Sequence, residues 1–180
     1  QAAIDTTAAG DIWDTFDGTT TGTTVSSSTS GADIMVYTLP AMVDGLSASA
    51  SLSPKQTSAA ASTAWALTYT GVEGLSVSYG QGDASTGVST TEADATTMKA
   101  SYAIGSFTVA YSNNDYQTAV ANTDQETTSY KVSYTVSDAI SVSYGTEEIK
   151  LENDDQEAEY ERLSVSYTSG GMTVSAASAS

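Results

Sequence analysis

The sequence has no cysteine and no histidine, and its five basic residues face 22 acidic ones. Without Cys there is no disulfide and no thiolate metal site, although that absence does not fix the redox compartment. Without His there is no Ser-His-Asp triad, and the commonest general base and zinc ligand are gone. Enzymatic activity is therefore not expected, and neither is a bound metal or cofactor. A formal net charge of −17 works against nucleic-acid phosphates and against docking on anionic lipid. No apolar run approaches the roughly 20 residues of a spanning helix. The chain opens on Gln1 rather than Met and shows no signal peptide, so it reads as a processed product or a piece of something longer.

What the sequence does have is tyrosine in phase. Eleven Tyr alternate with Val, Leu and Ser, which argues against the disorder that an acidic, Ser/Thr-rich composition otherwise suggests. The string LSVSYG at Leu75–Gly80 returns as ISVSYG at Ile140–Gly145 and as LSVSYT at Leu163–Thr168. Residues 1–32, with GDIWDTFDG followed by a Thr/Ser/Gly run, lack this order and read as a loop. From Asp33 onward the alternation of half-buried strands takes over.

Turn residues mark five hairpins. Asp33–Pro40 and Leu46–Ser53 flank AMVDG, and Ser62–Thr70 and Leu75–Gly80 flank GVEG. Thr97–Ala103 and Ser106–Ser112 flank Ile104-Gly105; Ser129–Thr135 and Ile140–Gly145 flank VSDA; Glu161–Thr168 and Met172–Ser178 flank SGG. The turns at Gly45, Gly74, Gly105, Asp138 and Gly170 are spaced 29, 31, 33 and 32 residues apart. Longer polar stretches such as QGDASTGVSTTEADA, DYQTAVANTDQE and EEIKLENDDQEAE read as loops between hairpins. Short turns alternating with long loops predict an all-β, antiparallel up-and-down meander with two unlike ends.

One face of these strands carries Leu, Val, Met, Phe, Trp and Tyr. The other is Ser, Thr or Ala, interrupted by Lys99, Lys131 and Arg162. In a soluble sandwich the apolar face would be the core, and the polar face would mix Lys and Glu among its Thr. Here the small face is nearly free of carboxylates, which the reading assigns to the loops. A transmembrane β-barrel accounts for this division, with apolar residues towards lipid and small polar ones towards a watery lumen. Tyr69, Tyr102, Tyr134 and Tyr167 each stand two residues before a short turn, as an interfacial aromatic girdle requires; the competing explanation is that Tyr simply favours strands. Against the membrane stands the brevity of the apolar runs. Leu75–Tyr79 covers five residues, where a spanning strand needs about 9–11.

Hairpins such as WALTYTGVEGLSVSYGQGD, MKASYAIGSFTVAYSNND and YKVSYTVSDAISVSYG resemble those of Gram-negative general porins, especially the alphaproteobacterial kind, over roughly residues 10–180. The resemblance implies a transmembrane β-barrel of about 16 strands, assembled as a homotrimer in the outer membrane and surrounded by lipid and lipopolysaccharide. It implies passive diffusion of small hydrophilic solutes and ions, with no nucleic-acid partner. GDIWDTFDG is similar to the acidic constriction loop of that family, so that Asp11, Asp14 and Asp17 would project into the pore and ADIMVYTLP would be the next strand. The ten strands would then be the sixth to the fifteenth. The early strands and the terminal aromatic strand of the family are not found in residues 1–180.

Lys99, Lys131 and Arg162 would form a basic wall opposite the acidic loop, screening solutes by charge. Lys99 and Lys131 each precede their Tyr by three residues, and Arg162 by five, so Arg162 is expected about 6–7 Å further along. The acidic run from Glu147 to Glu161 reads as a solvated outward loop. Two other classes compete with the porin reading: a secreted acidic structural or adhesive protein, such as a surface-layer or fibre subunit, and a soluble calcium-dependent sandwich. The acidic run could also bind divalent cations or favour cation entry, whereas GDIWDTFDG lacks the ligand spacing of an EF-hand loop.

Overall fold

The computed structural model describes residues 35–40, 43–54, 61–85, 92–152 and 157–179. They form ten strands: β1 (Met35–Thr38), β2 (Leu46–Ser53), β3 (Ser62–Tyr69), β4 (Leu75–Ser85), β5 (Glu92–Ile104), β6 (Phe107–Thr118), β7 (Gln125–Ser137), β8 (Ile140–Leu151), β9 (Ala158–Ser169) and β10 (Met172–Ala179). All ten lie in one sheet, hydrogen-bonded in chain order, and neighbouring strands run antiparallel.

The short turns fall where the glycines predict them. Gly45, Gly74, Gly105 and Gly170 have φ of 74°, 76°, 58° and 58°, a left-handed conformation that a side chain resists. At Gly74 the need is also steric, because a Cβ there would overlap the carbonyl of Ala103. The first four turns are each tied to the strand end of the following hairpin. Thr70 N donates to Gly45 O at 2.7 Å, and Ala103 N to Gly74 O, Thr135 N to Ser106 O and Thr168 N to Ala139 O at 2.8 Å. A bulge between Thr135 and Ser137 adjusts the one hairpin whose turn is marked by Asp138 rather than Gly.

The strands are longer than the alternation suggests. β4 has 11 residues, β5 and β7 have 13, and β6, β8 and β9 have 12. At least half of each stretch read as a loop between hairpins is strand. Gly80–Asp83 continues β4, Asn113–Thr118 continues β6, and Thr146–Leu151 continues β8. The physical reason is that the ladder is made by backbone groups. It persists where both faces turn polar and the hydrophobic alternation vanishes.

The register repeats from hairpin to hairpin. Val77, opposite Tyr69, is also opposite Ala100, two residues short of Tyr102. Tyr102 reaches Val132 through Val109, two residues short of Tyr134, and Tyr134 reaches Val165 through Val142, two short of Tyr167. Two residues of rise, about 6.6 Å, over two strand spacings, about 9.6 Å, match strands inclined at about 35°. At that tilt the four tyrosines stand level.

Burial is one-sided. Ala64, Ala66, Ala95, Thr97, Ser112, Asn114, Thr127 and Ser129 are buried, while Trp65, Leu67, Met98, Val109, Tyr130, Val132, Leu163 and Val165 on the opposite face are exposed. The small polar face is the sheltered one, which inverts the rule of soluble folds. A contiguous apolar surface from β2 to β10 far exceeds the patches that soluble monomers tolerate.

Candidate functional site

The sheltered face is a hydroxyl surface stitched together by short cross-strand contacts. Thr68 Oγ1 and Ser78 Oγ lie 3.0 Å apart, Ser141 Oγ and Ser166 Oγ 2.7 Å, and Ser143 Oγ and Ser164 Oγ 3.2 Å. Asn114 Nδ2 donates to Thr97 Oγ1 at 2.8 Å. These bonds pair polar groups of neighbouring strands without long side chains, leaving the face low and wettable, although Ser112 Oγ is buried without a hydrogen-bond partner.

Lys99, Lys131 and Arg162 all project from this face and are half-buried. Lys131 and Arg162 share one hydrogen-bonded row, with Gly145 of β8 directly between them. Gly145 has no side chain, so the row offers open space between two backbone positions about 9.6 Å apart. Lys99 reaches Ser129 through Ser112, one inward position along β7 from Lys131. Along the rows Lys131 and Arg162 are therefore level. Measured along an axis to which the strands are tilted, Lys99 and Lys131 are the level pair. Asp11, Asp14 and Asp17 lie outside the described residues.

The wall carries one acidic residue that the sequence reading assigned to a loop. Glu147 belongs to β8, is 3% exposed, and accepts a hydrogen bond from Ser129 Oγ at 2.8 Å. It sits directly opposite Ser129 and Tyr160, one inward position from Gly145. The phase of ISVSYG, extended by two residues, points to it: Ser141, Ser143, Gly145 and Glu147 share a face.

On the outward face the girdle tyrosines Tyr69, Tyr102, Tyr134 and Tyr167 are 38–47% exposed. Tyr134 stacks against Phe107 with ring centroids 4.5 Å apart. Tyr79, Tyr111 and Tyr144 are each the fifth residue of their strand and follow the same two-residue stagger, Tyr79 opposite Met98 and Tyr111 opposite Ala100. Trp65 packs on Tyr79 at 5.5 Å and Tyr130 on Tyr111 at 5.2 Å.

Further from the short turns the outward residues change to Thr, Asn and Gln, and then to carboxylates. Three acidic pairs face each other directly: Asp83 and Asp94, Asp115 and Glu126, Glu148 and Glu159. Some are tempered by neighbours, with Asn113 Nδ2 donating to Glu126 at 2.8 Å and Lys150 Nζ 2.9 Å from Glu148. From Leu75 to Asp83, or Ile140 to Glu148, the uncharged outward band covers eight residues of rise, about 22 Å of height at this tilt; from Ile104 to Asp94 it covers ten, about 27 Å. An outer-membrane barrel presents an outward apolar band of about 25 Å. The five-residue brevity of the apolar runs is thus a shortage of large apolar side chains, not of strand. Among the described residues no group of three or more Asp or Glu is arranged to hold a metal, and no helix is long and apolar enough to cross a membrane.

Two solved structures with this architecture are forms of OmpT, an outer membrane protein of Vibrio cholerae. The loop L8 deletion mutant superposes with a TM-score of 0.63 at 16% identity, covering 81% of this chain and 56% of the other. The in-vitro folded protein gives 0.64 at 16% identity, with 81% and 52% covered. This chain spans about half the length of those proteins. No curated protein matches the sequence. The family model for the Gram-negative porin, in contrast, runs along almost all of it, from residue 2 to residue 180. With the wall's two faces divided as a lipid-borne barrel requires, this chain belongs to the Gram-negative porins of the outer membrane.

Proposed function

We propose that this chain forms part of the wall of a water-filled channel through which small hydrophilic solutes and ions diffuse passively. The observation that carries this reading is the division of one sheet between two solvents. Its inward side is mostly Ser, Thr, Ala and Gly, joined by Asn114, Gln125, Ile149, Glu147 and three cations, and its outward side is uncharged over about the thickness of a bilayer. A single layer with such faces has water on one side and lipid on the other. In this reading the protein is not an enzyme, and transport needs no cofactor.

Closure into a barrel of about 16 strands, assembly as a trimer and contact with lipopolysaccharide belong to the same proposal. So does the eyelet, in which Asp11, Asp14 and Asp17 face Lys99, Lys131 and Arg162 and set a transverse field across the lumen. Purified protein in a planar bilayer should give stepwise conductance. Solubility of the pure chain in plain buffer would instead favour the secreted structural or adhesive protein. Reversing Lys99 and Lys131 to Glu should move ion selectivity towards cations, and unchanged reversal potentials would remove the eyelet from the proposal.

A further inference from the structure

We infer that Glu147 is a built-in counter-ion of the basic wall, holding Lys131 and Arg162 in place and setting how strongly the lumen prefers anions. The inference deepens the channel reading and rests on it. Three observations converge on Glu147. First, the carboxylate is 3% exposed on the inward face, and a buried charge is tolerated only where it is paired and hydrogen-bonded. Second, Ser129 supplies one hydrogen bond, to Oε2 at 2.8 Å. Third, the register brings the cations into range. Glu147 is opposite Ser129 on β7 and Tyr160 on β9, and the next inward positions on those strands, on the Gly145 side, are Lys131 and Arg162.

Diagonal neighbours in an antiparallel ladder are about 7–8 Å apart at Cα, within reach of long side chains. Gly145, lying between the two cations, leaves the space over which both can lean towards the carboxylate. A shared carboxylate restricts two flexible side chains that would otherwise sample the lumen. It also cancels one of the three positive charges that a permeating ion meets on this part of the wall. Lys99 lies three strands away along the Glu147 row, beyond the reach of this carboxylate.

The test is ion selectivity of the full protein in planar bilayers under a KCl gradient. Glu147→Gln keeps the shape and a hydrogen-bonding group for Ser129 while removing the charge. It should raise chloride permeability and lower potassium permeability about 2.4-fold each, and so raise their ratio about sixfold, the effect of one unit charge about 8 Å from each ion in water. Glu147→Asp should stay close to the parent. Lys131→Gln should lower the ratio, and the double variant Lys131→Gln/Glu147→Gln should return it towards the parent value. The double variant also answers the question if Glu147→Gln alone does not assemble, because a silent Glu147 would leave it identical to Lys131→Gln. A shift in Lys131→Gln with none in Glu147→Gln, or a double variant that tracks Lys131→Gln, overturns the inference and spares the channel reading. Stepwise conductance with no response to either residue removes the basic wall, and the inference with it. No conductance at all removes the channel reading itself.

Discussion

The turn-side and loop-side halves of the sheet share the same strands and the same sheltered inner face, yet their outward faces differ. Near the short turns the outward residues are Phe107, Val109, Val132, Tyr134, Val142 and Val165; beyond the second ring of tyrosines they are Asp83, Asp94, Asp115, Glu126, Glu148 and Glu159. One half is built for hydrocarbon and the other for water and polar headgroups. The change occurs at a common level because these carboxylates follow the same two-residue stagger as the tyrosines, except that on β9 Glu161 stands two residues nearer the turns. The difference teaches that the sheet extends past its membrane band, and that the band is delimited by side chains rather than by strand ends.

The sharpest way to break this contrast is to place one charge in both halves. Val132→Arg, near the middle of the uncharged band, should cost about 2–4 kcal/mol of folding stability in lipid, whereas Glu126→Arg on the same strand should cost about 0–1 kcal/mol. Urea unfolding in vesicles reads both, and equal penalties would mean that the band does not lie in the membrane. Next in size is the turn end. Gly74→Ala forces a side chain into φ 76° and against the Ala103 carbonyl, with an expected loss of about 1–3 kcal/mol, whereas the same change at Gly105, where a Cβ meets nothing within 4 Å, should lose less. Tyr134→Leu keeps the apolar surface but gives up the Phe107 ring contact, for a loss of about 0.5–1.5 kcal/mol. The smallest effect lies in the acidic half. Asp115→Asn relieves the repulsion with Glu126 and should stabilise by about 0.2–1 kcal/mol, a gain that shrinks when unfolding is repeated in high salt.

This contrast also explains what the sequence disclosed and what it hid. Turn positions were legible because glycine at positive φ leaves a fixed mark, and the phase of each strand was legible wherever Val and Tyr alternate with Ser. The upper halves of β4 to β9 were not, because Asp, Asn, Thr and Gln on both faces carry no periodicity while the backbone ladder continues unchanged. Glu147 was hidden for the same reason: read as part of an acidic loop, it stands on the inner wall beside Gly145. Lys99, Lys131 and Arg162 could be assigned to the inner face from phase alone, but their sharing of rows needed the register. Asp11, Asp14 and Asp17 fall outside the described residues, so the acidic side of the eyelet rests on the sequence resemblance.

The bonds from the first four short turns to the strand end of the next hairpin, together with the constant stagger, make the hairpin a unit that can be copied. A duplicated hairpin meets its neighbours with the register, the tyrosine height and the acidic height already matched. Each copy adds two strand spacings, about 12 Å of circumference at a tilt of about 35°. Pore width in such a wall can change by duplication or loss of whole hairpins, without redesign of the hairpins that remain.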